Sequence, residues 1–173
     1  MRRHRPAFQG EVPPKTMRPA APFLVLFGLL SASCSKQYIP NTDVEENEFN
    51  RKVVEFCEEY RHAVERRNVA LLLKLADKSY YEDGGNIDAS DDLDFEGLKV
   101  YLETEFRKVS AVRYEIRYRE VSRGRNDRIF VDFTYSASYK IPTEDGSVWR
   151  RKVADNRLEL REQDEAFKIT AGM

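Results

Sequence analysis

Apolar residues recur along this chain with two different periods, and the change of period divides it. Between residues 46 and 67, Val53, Cys57, Tyr60 and Val64 return at three- and four-residue spacing, flanked by Phe56 and Ala63. Glu55, Glu58, Glu59, His62 and Glu65 occupy the other side. That period predicts an amphipathic helix over 46–67. Asn68 interrupts it, and 69–76 reads as a short second helix with Leu72 and Leu73 turned inward. The stretch "SYYED" predicts a short strand, closed by Gly84 and Gly85. Asp88, Asp91, Asp92 and Asp94 then form an acidic loop. Asp92 or Asp94 is placed to cap a third helix, because a carboxylate satisfies the unpaired amides of a helix start. Phe95, Leu98, Leu102, Phe106 and Val109 give that helix one apolar face.

Beyond residue 110 the period falls to two. Val112, Tyr114, Ile116 and Tyr118 alternate with Arg113, Glu115, Arg117 and Arg119. After the turn "GRND", Ile129, Val131, Phe133, Tyr135, Ala137 and Tyr139 alternate with mostly polar residues. After "PTEDGS", Ala154, Asn156, Leu158 and Leu160 alternate with Asp155, Arg157, Glu159 and Arg161. Phe167, Ile169 and Ala171 make a last strand. Such alternation predicts strands with one buried and one wet face, and the short connections make the sheet antiparallel. The fold class expected is therefore α+β, with three N-terminal helices packed on a curved antiparallel sheet.

The first 45 residues follow neither period. Residues 23–30, "FLVLFGLL", form an apolar run far shorter than the roughly 20 residues that span a bilayer. Basic residues precede it and small ones follow, the layout of a secretory signal peptide. Met17 opens a better-proportioned signal than Met1, and translation is expected to start there. The ending "SASC" resembles the lipobox of bacterial lipoproteins, although Ser31 stands where the pattern has leucine and Leu30 lies one step further back. The resemblance implies cleavage before Cys34, acylation of that cysteine and membrane attachment through it. Several acyl chains anchor stably where one is marginal. Ser35 after the cysteine implies sorting to the outer membrane. Residues 1–33 are thus read as signal peptide, 34–46 as anchor and tether, and 47–173 as the folded domain. Cys57, left without a partner, is expected to be a buried apolar side chain.

Charge narrows the chemistry. Residues 1–33 carry five Lys/Arg and one acid, which leaves 24 basic and 29 acidic residues in the remainder, a net of −5. An acidic domain is a poor binder of nucleic acid. His62 is the one histidine beyond residue 33, so a zinc site of several His and Cys ligands is excluded. The acidic loop lacks the D-x-[DN]-x-[DN]-G spacing and distal glutamate of a calcium hand. No metal and no cofactor are expected.

The stretches "YRHAVERRNVALLLKLADKSYYEDGG" and "FKITAGM", in this order of helices and strands, resemble the nuclear transport factor 2-like fold, also called cystatin-like. Its relatives include ketosteroid isomerases and polyketide cyclase-like proteins. The resemblance spans about residues 47–173. It implies a cone whose open end forms a pocket, and the fold hosts enzymes, binding modules and interaction domains alike. In the isomerases the aspartate closing a stretch like "ADKSYYED" abstracts a proton, which falls here on Asp83. A tyrosine on the first helix donates to the forming oxyanion, which falls on Tyr60. The third isomerase group, a protonated strand aspartate, has no inward counterpart. Asp155 shares the parity of Arg157 and is expected to face away beside a basic neighbour, whereas Asn156 faces in unless a bulge reverses the parity. Tyr60, Tyr81, Asp83, Tyr135 and Asn156 are the candidate ligand-binding set, with Asp83 and Tyr60 as candidate catalytic pair. Tyr80, Tyr101, Tyr114, Tyr118 and Tyr139 line a cavity or fill a core. Three functions stay open: a lipid-anchored binding domain for a small apolar molecule or partner protein, an isomerase- or cyclase-like enzyme, and a subunit that dimerises through its sheet face.

Overall fold

The structure, a computed structural model, describes residues 35–83, 92–164 and 166–173. Residues 1–33, expected to be a signal peptide, and Cys34, Gly84, Gly85, Asp88 and Asp91 lie outside the described residues. Asparagines start the first two helices. The Asn47 side chain accepts from the Asn50 amide at 2.8 Å, so α1 runs Glu48–Glu65. Asn68 accepts from the Leu71 amide at 3.0 Å and opens α2, Val69–Leu75. On α1, Val53, Val54, Cys57, Tyr60 and Ala63 are buried. Burial pushes the Cys57 thiol well above its usual range, so it stays protonated and inert. Glu58, expected on the wet side, is instead half-buried; it accepts from the Tyr118 hydroxyl at 2.8 Å and from Arg61 Nε at 2.7 Å. On α2 the buried pair is Leu72 and Leu75 rather than Leu72 and Leu73. Three-residue spacing keeps both on one narrow stripe, which adjacent positions cannot share.

Strand β1, Tyr81–Glu82, pairs antiparallel with β2, Leu93–Asp94. Two residues are too few to display a period, so β2 left no signal in the sequence. Asp94 accepts from the Gly97 amide at 2.8 Å and caps α3, Phe95–Arg107.

The main sheet holds β3 (Ala111–Arg123), β4 (Arg128–Thr143), β5 (Gly146–Gln163) and β6 (Ala166–Ala171), antiparallel in that order. The β4–β5 hairpin is longer than the alternation indicated. Pairing continues to Thr143 and Gly146 around Glu144 and Asp145, so "PTEDGS" is mostly strand. Gly146, at φ 133°, takes a conformation that side chains disfavour. Register shifts at Tyr118/Glu120 and Glu159/Leu160 bend the sheet. Helix α1 lies along β3, α2 touches α1 and β6, and α3 packs on α2 and β2. Val53, Leu72, Leu98, Val131, Leu158, Leu160 and Ile169 form the sealed centre. No described helix is long and apolar enough to cross a membrane.

The stretch expected to be a tether is docked. Ile39 and Val44 are buried, and Tyr38 bridges to Glu45. The Asp43 amide donates to the Tyr118 carbonyl at 2.9 Å, and its carboxylate accepts from Arg117 at 2.6 Å and Arg119 at 3.1 Å. Buried Asn50 donates to the Glu45 carbonyl at 2.8 Å. The folded unit therefore begins ahead of residue 47. The Arg117 hydrogen bond, with Arg119 beside it, holds the Asp43 carboxyl below its usual range. A lowered value contributes stability above the ordinary carboxylate range, and that contribution disappears as pH falls through the folded-state value. Asp43→Asn should melt slightly below wild type at pH 7, with the gap narrowing as pH falls below the ordinary carboxylate range. Identical melting temperatures at pH 7 would contradict the docking role of the ion pair.

Candidate functional site: a tyrosine-lined cavity

The strand register fixes which side chains meet on the inner face of the sheet. Across β3, β4 and β5 the rows read Val112–Tyr139–Arg150, Tyr114–Ala137–Lys152, Ile116–Tyr135–Ala154 and Tyr118–Phe133–Asn156. Large rings surround two alanines. Helix α3 stands across this hollow, and the space between is a cavity of about 600 Å³. That lies within the range of small-molecule sites. Helix α1 contributes Tyr60 and Val64, and α3 contributes Tyr101, Leu102, Glu105 and Phe106. Tyr114, Tyr135, Tyr139, Ile141, Lys152 and Asn156 come from the sheet, Lys108 and Val109 from the end of α3, and Met173 from the closing residues.

The tyrosines are coupled. Tyr60 and Tyr114 meet edge to face at 6.3 Å and 87°, and Tyr114 lies 5.5 Å from Tyr135. The Tyr60 and Tyr114 phenols are both buried. Burial raises the pKa of both phenols, so they remain hydrogen-bond donors at neutral pH. The Lys152 ammonium lies 5.9 Å from the Tyr135 ring centre. Lys108 pairs with Glu105 at 2.5 Å.

Three of the five candidate residues meet here: Tyr60, Tyr135 and Asn156 line the cavity. Asp83 and Tyr81 do not. Both are exposed, and the Tyr81 hydroxyl donates to Asp92. Period two explains the separation, because Tyr80 and Glu82 share the inward parity and Tyr81 and Asp83 the outward one. The inward carboxylate is therefore Glu82, and it accepts from the Gly172 amide at 2.5 Å. Asn156 donates to the Gly172 carbonyl at 3.0 Å, and the Met173 amide donates to the Tyr80 hydroxyl at 3.1 Å. Asp155 faces outward, but its partner is the Thr134 hydroxyl at 2.6 Å rather than a basic side chain. Both bulges fall outside the stretch of β5 that carries it, so its parity is never reversed. Tyr118 and Tyr80 are core residues with hydrogen-bonded hydroxyls, outside the lining. His62 is exposed beside Arg61.

Lys152 escaped the sequence reading as a site residue. Lys152 shares parity with Ala154 and Asn156, and it became legible once β5 was seen to start at Gly146. A second groove, about 900 Å³, runs beside α2 and is lined largely by charged side chains including Lys74, Lys99, Arg161 and Lys168. Its polar walls suit solvent. Among the described residues no three His, Cys, Asp or Glu side chains converge as a metal site.

No family model matches the sequence, and no curated protein matches it either. Solved structures do match in shape. A ketosteroid isomerase-like protein from Erwinia carotovora atroseptica superposes with a TM-score of 0.56 at 15% identity, over 73% of this chain and 95% of that one. A proposed dehydratase of the NTF2-like family from Streptomyces avermitilis gives 0.59 at 11% identity, over 71% and 92%. The chain has the nuclear transport factor 2-like fold. The Kfla4162 protein from Kribbella flavida also superposes, with a TM-score of 0.59 at 13% identity over 71% of this chain and 86% of that one. At these identities the likeness establishes fold alone. In nuclear transport factor 2-like terms, the cavity here is the hollow between the bent sheet and the helices.

Proposed function

We propose that this chain is a non-catalytic binding domain of the bacterial envelope, anchored to the outer membrane through lipid on Cys34, that takes a small apolar molecule into its cavity. The cavity carries this reading. It is large enough for a compact organic ligand, its walls are mainly aromatic and aliphatic side chains, and its buried hydroxyls are protonated donors. The isomerase-like alternative needs a base facing a donor, and its candidate groups are engaged elsewhere. Asp83 stands exposed at the end of β1, Glu82 holds the Gly172 amide, and Glu105 is paired with Lys108.

Two measurements test the two halves. The intact mass of the chain purified from an expressing bacterium should show cleavage before Cys34 and added acyl chains. An unmodified N-terminal cysteine, or an intact leader, would remove the anchor. Ligand binding should survive Asp83→Asn within about twofold, since that side chain is remote from the lining. A turnover that Asp83→Asn and Tyr60→Phe each abolish in a folded protein would replace the binding reading with the enzymatic one.

One observation favours an added assembly role. On the outer sheet face Trp149 and Val153 are 45% and 57% exposed, beside the small Ser136 and Ser138 of β4. A homodimer through this face would cover them. Val153→Lys should then convert a dimer to monomer in light scattering, and a wild-type monomer at high concentration would dismiss the role.

A further inference from the structure

The charges in the cavity wall are unbalanced. Glu105, Lys108 and Lys152 are its ionised side chains, and Glu105 with Lys108 forms a pair of its own at 2.5 Å. Lys152 faces phenols instead: its ammonium lies 5.9 Å from the Tyr135 ring centre, and Tyr139 and Tyr101 line the same cavity. No carboxylate among the described residues pairs with it. An ammonium carries three donors, which an anionic ligand can engage. This cation stands in a domain whose net charge is −5 beyond residue 33, so its position runs against the prevailing sign.

Its place in the register adds a direction. Lys152 and Tyr114 flank Ala137 in one row across three strands. Two strand spacings separate their backbones by about 10 Å. Ala137 contributes only a methyl between them, and the Lys152 cation stands at one end of the row. At the other end is the phenol of Tyr114, which lines the same cavity.

We propose that the cavity selects an organic anion: a flat aromatic or alicyclic body lying on the tyrosine rings, with one acidic group held by Lys152 and Tyr135. The proposal rests on the binding reading above and narrows its ligand: the body is apolar, as there, and one edge carries an acid. The acid accepts from the Lys152 ammonium and the Tyr135 hydroxyl together, a charge-assisted pair at the cavity mouth. The ring system replaces water against Tyr114 and Tyr139.

Two dyes with the same aromatic body test this: 8-anilinonaphthalene-1-sulfonate, which is anionic, and N-phenyl-1-naphthylamine, which is neutral. Each is titrated by fluorescence into residues 35–173, a compact unit holding every described element. Wild type is expected to bind the sulfonate about tenfold more tightly than the amine. Lys152→Met should erase that preference and Lys152→Arg should keep it, with circular dichroism confirming the fold of both. Lys99→Met, which removes a cation from the neighbouring groove, should leave the preference intact. Equal affinities in wild type, or an unchanged preference in Lys152→Met, overturn the charge assignment while the cavity stands as a binding site. Failure of both dyes to saturate a single site overturns the binding reading and the assignment with it.

Discussion

Gly172→Ala is expected to lower the stability of the domain by about 3 kcal/mol, a fall in melting temperature of about 10 °C. Two effects add at this position. Gly172 sits at φ 90°, which a side chain strains. A Cβ there would also stand 1.9 Å from the Arg157 carbonyl oxygen, a contact that only backbone movement relieves. That movement would loosen the hydrogen bonds from Asn156 and to Glu82, which hold the end of β6 against β1 and β5. Met173 would leave the cavity wall with it. Gly146→Ala is the control, because Gly146 has φ 133° but nothing within 4 Å of its added carbon. It should cost about 1 kcal/mol. Equal melting temperatures for the two variants would contradict the packed position of Gly172.

Phe133→Ala is expected to cost about 3–5 kcal/mol, the range for an aromatic ring removed from a core. Phe133 is 1% exposed and lies within 6.5 Å of the Tyr118 and Tyr135 rings. Its removal leaves a void beside the cavity that neighbouring strands cannot close. Phe130, with the opposite parity, is half-buried, and its ring lies near the Arg128 and Arg157 guanidiniums. Phe130→Ala should cost under about 1.5 kcal/mol. Chemical denaturation of both variants measures the difference. Similar losses would mean that the two faces of β4 are not distinguished as described.

The long periods were the legible part. The alternation around Phe133, Tyr135 and Asn156 predicted the inner face correctly because each strand carries many repeats of one pattern. The α1 stripe of Val53, Cys57 and Tyr60 was legible for the same reason. Short or irregular segments were not. β2 has two residues, and the docked 36–46 stretch gains its order from Asp43, Arg117 and Arg119, which lie far apart in sequence. Glu58 looked wet on a helical wheel, yet Tyr118 reaches it from another element. Placing Asp83 in the cavity followed the resemblance to isomerases, and the parity of Tyr80 and Glu82 moves the inward carboxylate by one residue. Lys152 lay hidden because the sequence reading began its strand at Ala154. These are tertiary effects, and a local pattern carries no record of them.

The inward polar groups that resemble an isomerase set are committed to structure. Glu82 and Asn156 fasten the two ends of one peptide unit pair at Gly172, and Tyr60 is buried edge to face against Tyr114. What remains open to a ligand is an aromatic hollow with Lys152 at its mouth. That arrangement suits retention of a molecule better than proton transfer.

The most direct test of the cavity as a binding site is native mass spectrometry of residues 35–173 purified from a bacterial periplasm. Wild type is expected to carry a retained small-molecule mass, released on denaturation, that is absent from an Ala137→Phe variant in which a ring is added between Tyr114 and Lys152. A bare wild-type protein that also takes up neither naphthyl dye would contradict the binding role.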